Sequence, residues 1–194
     1  LSERDMIYDS GDQPQIVKAR WVEPSLFTTL GVRPLLGAIF TDEDGMRDTA
    51  YNVMIPWHTW QQVFGGTGDV VGKTVRLNNI TRTVVGVLPR GFVMPEEGAV
   101  YYMPMNIAPF MQDPISVRGS HNFGMVGRLK PGVTPEAANA ELNAIGDELE
   151  KLYAKDNLGI GLMSRPLRDA IVGETRKPLL VLLASAGLVL LITC

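Results

Sequence analysis

The stretch that most constrains this chain is Pro178–Cys194, PLLVLLASAGLVLLITC, an apolar run without a single charge. Such a run has to be covered by lipid or by the rest of the protein. As a helix its 17 residues reach about 26 Å, slightly short of a hydrocarbon core of roughly 30 Å. The run stops where the chain stops, so that length is a lower bound, and a chain opening on Leu1 reads as a piece of a longer protein. Ala184, Ser185, Ala186 and Gly187 suit close helix packing in lipid, and suit a buried helix equally. We read the run as the start of a transmembrane helix. A C-terminal helix inside a soluble core is the alternative.

Upstream the polarity is mixed, as in a domain facing water, so a folded domain feeding a membrane span is the expected architecture. With 194 residues and 45% hydrophobic content the chain can build one sizeable core or two small ones. A net charge of −3 with both signs interspersed gives no basic face and excludes nucleic acid as an expected partner. The sole cysteine, Cys194, lies in the apolar run and cannot form an internal disulfide. No signal peptide is recognisable at the N-terminus, although a targeting element can precede Leu1.

Leu1–Pro14 is polar and is expected to be a loop. Ile16–Val22 reads as a strand, Pro24 and Ser25 open a short helix to Leu30, and Gly31 stands where a left-handed cap belongs. Val32–Phe40 is extended and broken by Pro34 and Gly37. Asn52–Pro56 is a short strand, and Trp57, Trp60 and Phe64 then fall on one helical face ended by Gly65 and Gly66. That aromatic stripe suits packing on a sheet better than a ligand groove. Pro89–Pro114 is irregular around one strand, Val100–Met103, with Met94, Met103, Met105 and Met111 as gap fillers or a pliable binding surface.

Three patterns invite a chemical reading. Asp42, Glu43, Asp44 and Gly45 resemble the opening of a calcium loop, but the twelfth position is Val53 where a carboxylate is required, which leaves a solvated helix start. Gly65–Thr74, GGTGDVVGKT, resembles a phosphate-binding loop, but Thr67 stands where its first glycine belongs. Lys73 leads into a β-hairpin turning at Asn78-Asn79, not into a helix whose N-terminus could hold phosphate. His58 and His121 have no ligand-spaced neighbours, so no metal site is expected. No catalytic residue, cofactor site or metal site is assigned, and the chain is not expected to be an enzyme.

Phe123–Lys130 reads as a strand turned by Pro131-Gly132 into a long helix. Thr134 is its N-cap, Pro135 its first residue, and Glu136 complements its dipole. Ala138, Leu142, Ile145, Leu149 and Leu152 form one apolar stripe, and Gly146 costs about 1 kcal/mol relative to alanine. Gly159–Leu167 reads as a further strand. Alternating strands and helices with an embedded hairpin give an α+β class.

Six segments in order resemble the MacB-like periplasmic core domain of ABC transporter permeases, near the FtsX-like and orphan-permease branch. They are WVEPSLFTTLGVRPLLGAIF, VMIPWHTWQQVFGG, DVVGKTVRLNN, TVVGVLPRGFVMP, GRLKPGVTPEAANAEL and LLVLLASAGLVLLITC, covering most of Trp21–Cys194. The resemblance implies an extracytoplasmic domain over 1–177 and the start of a transmembrane helix over 178–194. It implies a porter-like α/β subdomain, roughly 16–49 with 120–167, and an inserted β-rich Sabre-like subdomain, roughly 50–119. The implied setting is the periplasmic side of a bacterial inner membrane, which would put Arg176 and Lys177 outside, against the positive-inside tendency.

The implied partners are a separate ABC ATPase, a second permease copy forming a dimer, a periplasmic adaptor protein, and the lipid bilayer. The implied role is mechanical: ATP-driven movement of membrane helices shifts the domain to promote export, or to act on extracytoplasmic partners such as cell-wall enzymes. A membrane-anchored binding or scaffold module without transport is the alternative, and further spans or a neighbouring ATPase gene would separate the two.

Overall fold

The computed structural model describes residues 2–9, 11, 13–46, 51–94, 99–105, 124–172, 181–183 and 185. The chain divides into two compact units, Leu1–Phe92 with Gly98–Arg128, and Val93–Glu97 with Leu129–Cys194.

The first unit is a sheet that returns on itself. Its strands are β1 (Ser2–Tyr8), β2 (Gln15–Val22), β3 (Leu36–Gly37), β4 (Asn52–Ile55), β5 (Thr74–Leu77), β6 (Ile80–Val87) and β7 (Ala99–Pro104). They are ordered β3-β6-β4-β7-β2-β1-β5, and β5 pairs again with β6. Six strands therefore form a ring, with β3 added along β6. Closure leaves little free strand edge for another chain to pair with.

The ring is unevenly joined. β1 and β2 pair over their whole length from Ser2↔Trp21 to Tyr8↔Gln15, and β2 runs parallel to β7. At β4/β7 one pair, Met54↔Tyr102, makes the join, and at β1/β5 one pair, Tyr8↔Leu77. Asn78 reinforces the second seam: its N–H donates to Ile7 O at 2.8 Å and its Oδ1 accepts from Ile7 N at 2.7 Å. Asp9 N donates to Arg76 O at 3.0 Å beside an Asp9–Arg76 ion pair at 3.6 Å.

The strand β1 corrects the expected N-terminal loop. Arg4 and Asp5 face water while Met6 is buried. A strand with only one or two apolar residues on its inward face carries almost no alternating signal.

Strand alternation sorts the core into two faces. Val53, Ile55, Tyr101, Met103, Val84, Leu77, Met6 and Ala19 share one cluster. Met54 and Tyr102 point the other way, and there Phe27 lies 5.8 Å from Tyr102 and 5.9 Å from both Phe40 and Phe92, ring centre to ring centre. Phe27 comes from helix α1 (Leu26–Leu30), which Gly31 ends at φ 69 as expected. Helix α2 (Asp42–Met46) follows β3, and helix α3 (Trp57–Phe64) follows β4.

In the second unit helix α4 (Pro135–Leu152) begins as the sequence predicts, with Thr134 Oγ1 accepting from Ala137 N at 3.2 Å. Helix α5 (Ala154–Asn157) follows, and residues 167–172 are helical again. The buried centre of α4 is Gly146, while Ile145 and Leu152 are 43% and 64% exposed. The covered face thus keeps Ala138, Leu142 and Leu149 of the expected stripe, all half-buried, but takes in Asn139, Gly146 and Glu150 in place of Ile145 and Leu152. A Cβ on Gly146 would lie 3.3 Å from Leu162 N, a tight contact, so glycine lets the returning segment lie close to the helix.

Two expected strands do not form among the described residues. Phe123 lies outside them, and 124–130 make no strand pairs: Gly124 and Gly127 loosen the segment, and Arg128 Nε donates to Thr29 O at 3.0 Å. Gly159–Leu167 makes none either, because α4 side chains, not a neighbouring strand, meet its backbone.

Candidate functional site

The loop Gly65–Thr74 is structural in every detail described. Gly65 ends α3 in the left-handed conformation, and Trp60 Nε1 donates to Thr67 O at 2.8 Å. Lys73 Nζ donates to Asp69 Oδ1 at 3.0 Å and reaches Thr67 Oγ1 at 3.5 Å. The ammonium that a phosphate loop would aim at a nucleotide is engaged within the loop. A hydrogen bond from Thr67, then one from Lys73, holds the Asp69 carboxyl below the ordinary carboxylate range. Beyond Lys73 come β5 and β6, joined through Asn78 and Asn79 at φ 49 and 64, the paired left-handed turn of a tight hairpin.

Lys73→Ala is therefore expected to leave ATP-analogue binding at background, while the Asp69 carboxyl titrates at higher pH than in wild type. Carboxyl chemical shifts followed through acid, with an equilibrium binding assay, check both. Saturable wild-type binding lost in the variant would restore the phosphate-loop reading.

Asp44 closes a small helix-capping arrangement. Its Oδ2 accepts from Thr41 N at 2.7 Å and from Thr41 Oγ1 at 3.1 Å, and its Oδ1 accepts from Asn52 Nδ2 at 2.6 Å. The acidic cluster is a helix start. Val53, at the position calcium would need filled by a carboxylate, is buried in β4. Among the described residues no three His, Cys, Asp or Glu side chains gather where they could hold a metal ion.

Of the aromatic stripe, Trp60 and Phe64 pack on the core. Trp57 instead carries the Arg90 guanidinium 4.9 Å from its ring centre. Met94 and Met103 are buried, Met105 is half-buried, and Met111 lies outside the described residues. His58 is exposed, and His121 also lies outside. Burial, aided by Tyr8, pushes the Tyr101 phenol far above its ordinary pKa, which keeps it a neutral core group.

Residues 181–183 and 185 of the apolar run are helical, with Val181, Leu182 and Leu183 exposed by 70%, 65% and 73%. The rest of Pro178–Cys194 lies outside the described residues, among which no helix is long and apolar enough to cross a membrane.

A polar contact that the sequence does not announce ties α4 to the chain leading towards that run. Asn139 Oδ1 accepts from Ser164 N at 2.6 Å and Ser164 Oγ at 3.0 Å, and its Nδ2 donates to Ser164 O at 3.0 Å. The only hint is an amide placed among alanines in a helix, where asparagine is a poor former.

The family model described as MacB-like periplasmic core domain matches residues 2–145. Among solved structures, the periplasmic region of MacB from Actinobacillus actinomycetemcomitans is similar at TM-score 0.53 and 18% identity, over 80% of this chain and 66% of that one. The extracellular domain of the noncanonic ABC-type transporter YknZ from Gram-positive bacteria is similar at TM-score 0.56 and 16% identity, over 80% of this chain and 75% of that one. At these identities the likeness is one of fold. No curated protein matches the sequence.

Proposed function

The chain belongs to the family of MacB-like periplasmic core domains, and from that premise we propose that it is the extracytoplasmic part of an ABC transporter permease. On this reading residues 1–177 lie on the periplasmic side of the inner membrane and Pro178–Cys194 begins a transmembrane helix. The domain is non-catalytic. It converts ATP-driven movement of membrane helices into displacement outside the membrane, for export or for action on extracytoplasmic partners. Its partners are an ABC ATPase that supplies the energy, a second permease copy, a periplasmic adaptor and the bilayer.

The observation that carries the proposal is a family match over most of the chain, followed within the same chain by an uncharged apolar run. The lack of charge matters because even one ionised side chain at the bilayer centre costs about 3 kcal/mol on insertion scales.

The test is flotation with lipid vesicles. The full chain is expected to float, and the chain ending at Lys177 is expected to stay in the soluble fraction with unchanged circular dichroism. If removing the run unfolds the domain, that helix belongs to a soluble core and the permease reading falls.

A further inference from the structure

The methionines whose side chains are described lie at two extremes, with only Met105 between them. Met6 and Met94 are 4% exposed and Met54 and Met103 not at all, whereas Met163 is 84% exposed and Met125 83%. Among the described residues these last two are the most exposed of all the large apolar side chains. A methionine in full contact with water gains nothing from burial. What then separates it from leucine or isoleucine is the chemistry of its sulfur.

The backbone around each site accounts for the exposure. Leu162 lies against Gly146 and Ser164 is bound by Asn139, so the side chain between them, Met163, is turned away from α4. Met125 belongs to the unpaired stretch 124–130, which Arg128 fastens to Thr29 O. Neither sulfur is part of the packing that holds its segment.

We propose that Met125 and Met163 are oxidant-accepting modification sites, each taking one oxygen atom from a peroxide and becoming methionine sulfoxide while the fold stays intact. The sulfur lone pair attacks one peroxide oxygen, an S–O bond forms, the O–O bond breaks and the second oxygen leaves as water. The sulfur gives up two electrons and the peroxide is reduced by them. At these two positions the new polar oxygen stands in water, so nothing is left unsatisfied. The same change at Met103 would bury a strong acceptor among Val53, Ile55 and Val84, which share its cluster. Peroxide meets that sulfur only when the domain opens. The exposed pair therefore reacts first, and the core sulfurs stay reduced while it does. The proposal stands apart from the transmembrane reading of Pro178–Cys194.

The experiment uses the full chain in a peroxide-free detergent, with the single thiol, Cys194, alkylated beforehand so that it does not compete. Hydrogen peroxide is added in excess, samples are quenched with catalase, and peptide mass spectrometry follows each methionine through time. Met125 and Met163 are expected to convert within about threefold of the rate of a free methionine peptide. Met6, Met54, Met94 and Met103 are expected to be at least about tenfold slower. In denaturant the six are expected to react alike, which would show that the fold supplies the difference. The thermal midpoint is expected to stay unchanged in the chain that carries sulfoxide at 125 and 163 with the core methionines still reduced.

Met125 or Met163 reacting as slowly as Met103 would overturn the proposal. A lowered midpoint in the chain oxidised only at the exposed pair would do so as well, since it would show that these sulfurs take part in packing. Rates that stay unequal in denaturant would place the selectivity in the local sequence and not in the fold.

Discussion

Gly37→Ala is expected to destabilise the first unit by about 2 to 5 kcal/mol, the sum of a strained backbone and a backbone overlap. Gly37 has φ 72, and a Cβ built there would sit 2.1 Å from Val85 O. That oxygen cannot simply move, because it accepts from Ala38 N at 3.0 Å. The same stretch pairs Gly37↔Gly86 and Leu36↔Val87, so yielding at this point detaches β3 from β6. Denaturant unfolding followed by tryptophan fluorescence measures the change. Gly68→Ala, where an added Cβ meets nothing within 4 Å, is the control and is expected to stay within about 0.5 kcal/mol of wild type. Equal midpoints for the two variants would mean that β3 is not held as described.

Phe27→Ala is expected to cost about 3 to 5 kcal/mol. The ring is fully buried and is common to three ring contacts, with Phe40, Phe92 and Tyr102. Removing it leaves a cavity bordered by side chains on β7 and on two loop segments, none of which can close the space alone. Phe27→Leu retains much of the volume and is expected to lose less than half as much. A near-native midpoint for Phe27→Ala would show that this face of the sheet is not a packed core.

How much of the fold is legible in the residues depends on how local each signal is. Thr134-Pro135, Gly31, Gly65 and Asn78-Asn79 announce helix ends and a hairpin because each conformation is set by the residues themselves. β1 gives no such signal: its place depends on the pairing of Tyr8 with Leu77 and of Met6 with Val17, and the exposed Arg4 and Asp5 make the segment look like a loop. Residues 159–166 mislead in the other direction. Their apolar content suits a strand, but pairing requires a neighbour, and here the neighbour is the face of a helix. Gly146 shows the same limit, since a residue that weakens a helix in isolation is what lets Leu162 of the returning segment lie close against it.

For the site, local logic is enough to reject two attractive motifs. Thr67 breaks the glycine spacing of the phosphate loop and Val53 breaks the ligand spacing of the calcium loop, and both residues have structural roles in the fold. Asn139 is not legible, because its partner is 25 residues away and the connecting path is irregular.

The single-pair seams of the strand ring bear on how the chain acquires its structure. The β1/β2 hairpin can form as soon as residue 22 is available, yet its other neighbours are β5 and β7, which arrive only with residues 74–77 and 99–104. Ring closure therefore depends on contacts between distant parts of the chain, the kind that slow folding most. Until β7 arrives, the β2 edge that will receive it has no partner from this sheet, and in that interval the young domain is most open to pairing with another chain.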